Sequence, residues 1–280
     1  MPHFALMPSD ATTNALTVAE QDARDLAAMP VLPDPDPFLY FNPTQELQER
    51  YVGRSFEPSY LEGRVFINYV LEKAIQPDTP QRVLDFGCGW GRMSRILSRA
   101  TGSALIERHG CDVSTVALDV VRRSMPSFWT QKTNYFPPST YRDGLFDVIF
   151  AYSVFSHLSE DSARAWGQEF ARILAPGGRL VVTTQGLRFL GWVDDLRSGV
   201  AENRNPWHDL LIASDLGMAL KDRYEAGEFI YAATQASTKD YGEAAAPRSW
   251  FESVWGGFGF EMADWDESQG QNRCVMVLRG

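Results

Sequence analysis

Val83 to Gly91, VLDFGCGWG, is an apolar run that ends in one acid, Asp85, and passes directly into three alternating glycines. Glycine has no Cβ to obstruct a tight turn with positive φ, so Gly87, Gly89 and Gly91 let the backbone approach a ligand at van der Waals distance. A second strand end follows at Gly110 to Ser114, GCDVS, and carries a single acid, Asp112. A carboxylate roughly twenty residues beyond such glycines suits the hydroxyls of a ribose. Strand, acid, glycine turn, helix and second acid together predict an α/β fold with a nucleotide-like ligand on its carboxyl edge.

Composition narrows the classes. The chain has 280 residues with a formal net charge of −10, and 44% of its residues are hydrophobic, enough for one sizeable α/β core. The acidic balance argues against nucleic acid as a partner, since displacing phosphate counterions needs a basic face. No run of about eighteen uncharged apolar residues occurs, as a membrane span would need. The first thirty positions scatter Asp10, Glu20, Asp22 and Asp25 where a secretory leader would be basic and then apolar, so a soluble cytoplasmic protein is expected. Cys88, Cys111 and Cys274 are odd in number, and His109 with Cys111 is a lone pair, so neither a disulfide framework nor a metal site is expected.

Residues 1–43 finish their proline-rich part in MPVLPDPDP and are expected as a flexible N-terminal tail. From Thr44 to Ile75 apolar residues recur at helical spacing until Pro77. RVLDF, Gly91 to Ala100, ALIERHGCDV, Ser114 to Met125, FDVIFAYS, Glu160 to Leu174 and APGGRLVVTTQG then alternate strand and helix, the signature of a parallel sheet with crossover helices. The rhythm breaks after Gly186. Residues 187–246 read as an inserted cap that binds substrate, after which 247–280 return to the main domain, 44–186, with a helix and a terminal hairpin.

VLDFGCGWGR, GCDVS, FDVIFAYSVFSHLSE and LAPGGRLVVTTQG stand in the order found in the class I S-adenosylmethionine-dependent methyltransferase family, which the chain resembles over Arg82 to Gly186 and Trp250 to Gly280. The resemblance implies a Rossmann-like, seven-stranded mixed sheet with its last strand antiparallel, helices on both faces and S-adenosyl-L-methionine as cofactor. It sets Gly87, Cys88, Gly89 and Gly91 around the methionine part of the cofactor, with Asp85 either at its amino end or as a helix or turn cap. Asp112 falls on the ribose-binding acid or else caps the next helix, and Val113 on the adenine contact. Asn134 with Tyr135 stands at the adenine edge, where an amide oxygen replaces the usual carboxylate, or is a plain turn. Ala151 and Tyr152 fall where a backbone carbonyl meets the cofactor's amino group. Asp147 opens its strand in a structural role, and Arg92 pairs with a nearby carboxylate or meets the cofactor carboxylate.

His157, just past the carboxyl edge of the sheet, is the candidate base, its alternative being a cap on the helix that starts near Ser159. Tyr241 and His208 are further pocket candidates. Phe189, Trp192, Trp207, Tyr224, Phe229 and Tyr231 are read as the cap's own core, some of them facing substrate. The expected reaction is in-line methylation of a small-molecule or saccharide hydroxyl, in which positioning supplies much of the rate. Alternatives are N-methylation of a small molecule, a non-catalytic scaffold and, remotely, an NAD-dependent oxidoreductase. Oligomeric state is not legible.

Overall fold

The computed structural model describes residues 43–101, 106–125, 127–199, 206–214, 216–235 and 238–280. The tail expected over 1–43 lies outside the described residues, apart from Pro43. Two helices lead in. α1 (Gln45–Val52) starts at Thr44, whose side chain accepts from the Leu47 N–H, and ends at Gly53 in the left-handed conformation. α2 (Phe56–Lys73) buries Phe66, Ile67 and Val70 on the main domain.

The chain then alternates as the pattern predicts. β1 (Gln81–Phe86), α3 (Arg92–Thr101), β2 (Ile106–Asp112), α4 (Thr115–Ser124), β3 (Trp129–Lys132), β4 (Phe146–Ala151), α5 (Glu160–Ile173) and β5 (Leu174–Thr184) follow in order. After β5 come α6 (Leu187–Arg197), α7 (Pro206–Ala213), α8 (Leu220–Glu225) and an antiparallel ribbon of β6 (Ile230–Gln235) with β7 (Thr238–Ala245). A helical segment, Arg248–Phe258, and the hairpin of β8 (Phe260–Asp266) with β9 (Asn272–Leu278) close the chain.

Seven strands form one sheet in the order β3-β2-β1-β4-β5-β9-β8. Neighbours from β3 to β5 are parallel, and β9, the last strand, runs antiparallel to both β5 and β8. Successive side chains of a strand point to opposite faces. Leu84, Ile149, Leu180 and Val182 therefore pack with Trp166, Phe170 and Trp255 on one side. Val83, Val148, Phe150 and Val181 meet Phe66, Ile67, Val70 and Ile96 on the other. Helices cover both faces, which is why the central strands read as continuous apolar runs.

The sheet order reverses beside β1, where β2 lies on one side and β4 on the other. Such a reversal opens a crevice at the carboxyl ends of the strands. Over that edge sits the segment after β5. Its α6, α7, α8 and ribbon share a core of Leu190, Val193, Leu211, Leu220 and Ile230. It is also laced to the main domain, since the N–H groups of Gly242 and Ala244 donate to the carbonyls of His157 and Ser156, each at 2.8 Å.

Candidate active site

Under this cap is a cavity of about 690 Å³, within the range that holds a drug-sized ligand. Its floor is the glycine turn. The Gly87 and Cys88 N–H groups both donate to the Cys111 carbonyl, at 2.8 and 3.0 Å, which ties the turn to the end of β2. Gly87 has φ +71°, and a Cβ there would come within 2.4 Å of Val154 Cγ2; Gly89 has φ +52°, and its Cβ would meet nothing nearer than Tyr51 at 3.8 Å. Gly87 is thus small for packing and Gly89 for the space above it.

Asp112 fixes the same turn from the side. One carboxylate oxygen accepts from the Gly89 N–H and the other from the Ser114 N–H, each at 2.8 Å. Ser114 caps α4, accepting from the Ala117 N–H, so the expected alternative of Asp112 as that cap is corrected: a hydroxyl two residues on has the reach. Each Asp112 oxygen keeps further acceptor capacity. Burial raises its pKa, against the pull of the backbone donors.

Asp85 is 2% exposed and accepts from the Ser94 hydroxyl at 2.6 Å. Burial pushes its pKa up to about 7, with Asp112 adding to the rise while Ser94 and Arg92 oppose it. Its stated alternative, a helix or turn cap, has support on the helix side, because the backbone N–H of Ser94, in the first turn of α3, bonds it along with the Ser94 hydroxyl. Arg92 pairs with Glu62 at 2.8 Å and donates to the Ser59 carbonyl. Of its two expected roles, the internal pair is therefore the one formed.

Val113, Asn134, Tyr135 and Tyr152 line the cavity with Asp85, Gly87, Cys88, Gly89 and Asp112. Gly91 and Ala151 do not. Gly91 faces Val121 and Met125 of α4, and Ala151 is buried in the sheet core. Gly91 thus serves the close approach of helix to turn, a need that spacing alone does not separate from ligand contact. Asp147 accepts from the Arg82 N–H at 2.7 Å, outside the cavity.

His157, 5% exposed, also lines the cavity. It does not cap α5; the Ser159 side chain does, accepting from the Ser162 N–H. Instead its Nδ1 lies 2.8 Å from the Gly242 carbonyl and 3.3 Å from Glu243 Oε1, and its ring stacks on Tyr241 at 5.1 Å. The carbonyl takes the Nδ1 proton, so the neutral ring carries its lone pair on Nε2. Burial alone would lower the pKa of the imidazole, but Glu243 and Gly242 together raise it. Glu243 is 2% exposed, and neither of its oxygens receives a hydrogen bond of good geometry. Facing the ring from β7 alone are thus a carboxylate, a carbonyl and a phenol. Burial raises the Tyr241 pKa well beyond neutrality, so this phenol shapes the His157 ring's surroundings and is not a base.

Sequence reasoning missed Glu243, which sits eighty-six positions from His157 in a ribbon with no motif. It also missed Arg54, on the link between α1 and α2. Arg54 lines the cavity with no ion pair among the described residues, whereas Arg50 holds Glu46, Arg92 holds Glu62 and Arg273 holds Asp266. His208 packs against Trp192 and Trp207 and does not line the cavity.

Residues 83–178 match the family model described as a methyltransferase domain. Methyltransferase GfsG of Streptomyces halstedii is 32% identical over 126 residues, which is 43% of this chain and 43% of that protein, so the match spans under half of either. Residues 83–178 are thus a methyltransferase domain, of the S-adenosylmethionine-dependent kind. Among solved structures, the PH0226 protein of Pyrococcus horikoshii OT3 has a similar fold at TM-score 0.55 and 16% identity, over 81% of this chain and 92% of that one. Magnesium protoporphyrin IX methyltransferase ChlM of Synechocystis PCC 6803, solved with bound SAH, is similar at TM-score 0.51 and 13% identity, over 86% and 91%.

The residues present fit this family's cofactor. The open face of Gly89 is a cradle that a Cβ would fill. Asp112 has acceptor capacity for a ribose diol, Asp85 is a buried acid suited to an ammonium, and Arg54 is a cation with no ion pair among the described residues. No helix among the described residues is long and apolar enough to cross a membrane.

Proposed function

We propose that this methyltransferase transfers a methyl group from S-adenosylmethionine to a hydroxyl of a small molecule, with His157 as general base and residues 187–246 as the cap that binds the acceptor. The observation that carries the reading is a single cavity lined both by an adenosyl-type cradle and by a carboxylate-backed imidazole. Gly87, Cys88, Gly89, Asp85 and Arg54 would hold the amino-acid part of the cofactor. Asp112, Val113, Asn134 and Tyr135 would hold the nucleoside. When bound, S-adenosylmethionine supplies a methyl group whose loss leaves a neutral thioether.

The chain itself has two tasks. It aligns acceptor oxygen and methyl carbon, a positioning effect worth several kcal/mol. It also removes the hydroxyl proton, which His157 takes on Nε2 while Glu243 stabilises the imidazolium that forms. A neutral amine acceptor needs no such base during transfer, so the His157–Glu243 pair supports oxygen as the nucleophile.

The experiment has two arms. Thermal unfolding with S-adenosylhomocysteine (SAH) at a hundredfold over its Kd should gain about 2.7 kcal/mol, and NAD should give nothing; the reverse would assign an oxidoreductase, and no gain from either a scaffold. Radiolabelled cofactor offered with alcohols and amines should then label the alcohols, and His157→Ala should abolish it. Labelling of amines alone would overturn the oxygen assignment.

A further inference from the structure

We propose that the acceptor is a flat, uncharged, largely apolar alcohol, aromatic or conjugated and not a saccharide, held on a shelf of Phe189, Trp192 and Trp207. This deepens the function proposed above and rests on it. The three rings are contributed by α6 and α7 and all line the cavity. Trp192 stacks on Trp207 at 5.3 Å and 22°, and Phe189 lies 5.9 Å from Trp192, so they form one continuous apolar surface. Tyr224, Phe229 and Tyr231, also expected as cap aromatics, do not line the cavity. Phe189 and Trp207 belong at once to the cap's own core and to the cavity wall, with Trp192 packed against them.

Polar groups at this end are mostly committed to one another. Thr183 Oγ1 accepts from the Ser153 N–H at 2.7 Å and donates to Gln271 Oε1 at 2.6 Å, while Gln271 Nε2 donates to Ser153 Oγ at 2.9 Å. Arg273 is bonded to Asp266 and lies over the Tyr69 ring. Glu243 stands behind His157 and does not line the cavity. What remains are the side-chain amides of Gln185 and Gln269 and the Tyr241 hydroxyl, which make no hydrogen bond among the described residues. A sugar ring carries hydroxyls around its whole edge, and each one desolvated without a partner costs affinity. Two amides, one phenol and one imidazole cannot serve them. An apolar plate with one hydroxyl near His157 leaves nothing unpaired and gains from burial against the rings.

Calorimetry on the full chain saturated with SAH tests this, with 2-naphthol and methyl α-D-glucopyranoside as probes. Naphthol should bind saturably and the glucoside should give no heat. Trp192→Ala should weaken naphthol about tenfold or more while SAH affinity is kept, which also reports an intact fold, and Trp192→Phe should restore most of the loss. Glucoside binding as tight as naphthol, naphthol binding indifferent to Trp192→Ala, or no naphthol binding would overturn the shelf. If SAH itself fails to bind, the proposed function falls, and the same titrations on the free protein still decide the shelf.

Discussion

Alanine at Gly89 and at Gly87 separates a ligand cradle from a packing constraint two residues away. Both positions have positive φ, +52° and +71°, so either alanine takes the left-handed conformation at about 1–2 kcal/mol. At Gly89 nothing is added to that cost, because the new methyl lies 3.8 Å from its nearest neighbour, the Tyr51 ring. At Gly87 the methyl would sit 2.4 Å from Val154 Cγ2, and overpacking of that kind adds roughly 1–3 kcal/mol. Gly89→Ala should therefore lower the melting temperature by a few degrees and Gly87→Ala by about twice as much. Binding should rank the other way. The Gly89 methyl projects into the cavity, where forcing a bound cofactor off its seat by one carbon costs about 1–3 kcal/mol, or roughly 10- to 100-fold in SAH affinity by calorimetry. A Gly89→Ala protein that binds SAH as tightly as the wild type would refute the cradle, whatever its stability.

The charged groups of the site give three further outcomes. Glu243 favours the His157 imidazolium, so Glu243→Gln should move the acid limb of the kcat pH profile to lower pH and depress its plateau; an unshifted limb would remove Glu243 from the base. Asp85, whose pKa is about 7 in the ligand-free protein, loses the stability of its neutral form as pH rises from the ordinary Asp range through 7. Asp85→Asn should accordingly stabilise the free protein at pH 8, by up to about 4 kcal/mol, and abolish the proton that wild type should release near pH 6.5 when the ammonium of SAH binds. Calorimetry in two buffers of different ionisation enthalpy reads that proton directly, and its absence in wild type would remove Asp85 from the amino site. Arg54→Ala should weaken SAH by roughly tenfold or more and leave 5′-methylthioadenosine, which has no carboxylate, unaffected; equal losses would mean that Arg54 acts on the nucleoside or the fold.

Much of the cofactor end was legible because it is local. VLDFGCGWG specifies strand, acid and turn within nine residues, and GCDVS repeats the device on the neighbouring strand. Where the reading erred, two local causes competed for one residue. Gly91 has the glycine spacing of a ligand turn yet is small for α4, and His157 looked able to cap α5 until Ser159 proved better placed. The acceptor end was hardly legible. Its aromatic residues could pack inward or outward, and nothing in a helical pattern distinguishes Trp192 from Tyr224.

Chain order and residue type alone determined the alternation of strands and helices, the terminal hairpin and the glycine turn with its two acids, since each depends on contacts within a few tens of residues. Tertiary structure alone decided that β7 comes back across the edge of the sheet to set Gly242 and Glu243 against His157. It also decided that Arg54 makes no ion pair among the described residues and that Phe189, Trp192 and Trp207 line the cavity. Those are pairings between distant segments, fixed by how the cap packs on the sheet, and no local periodicity encodes them.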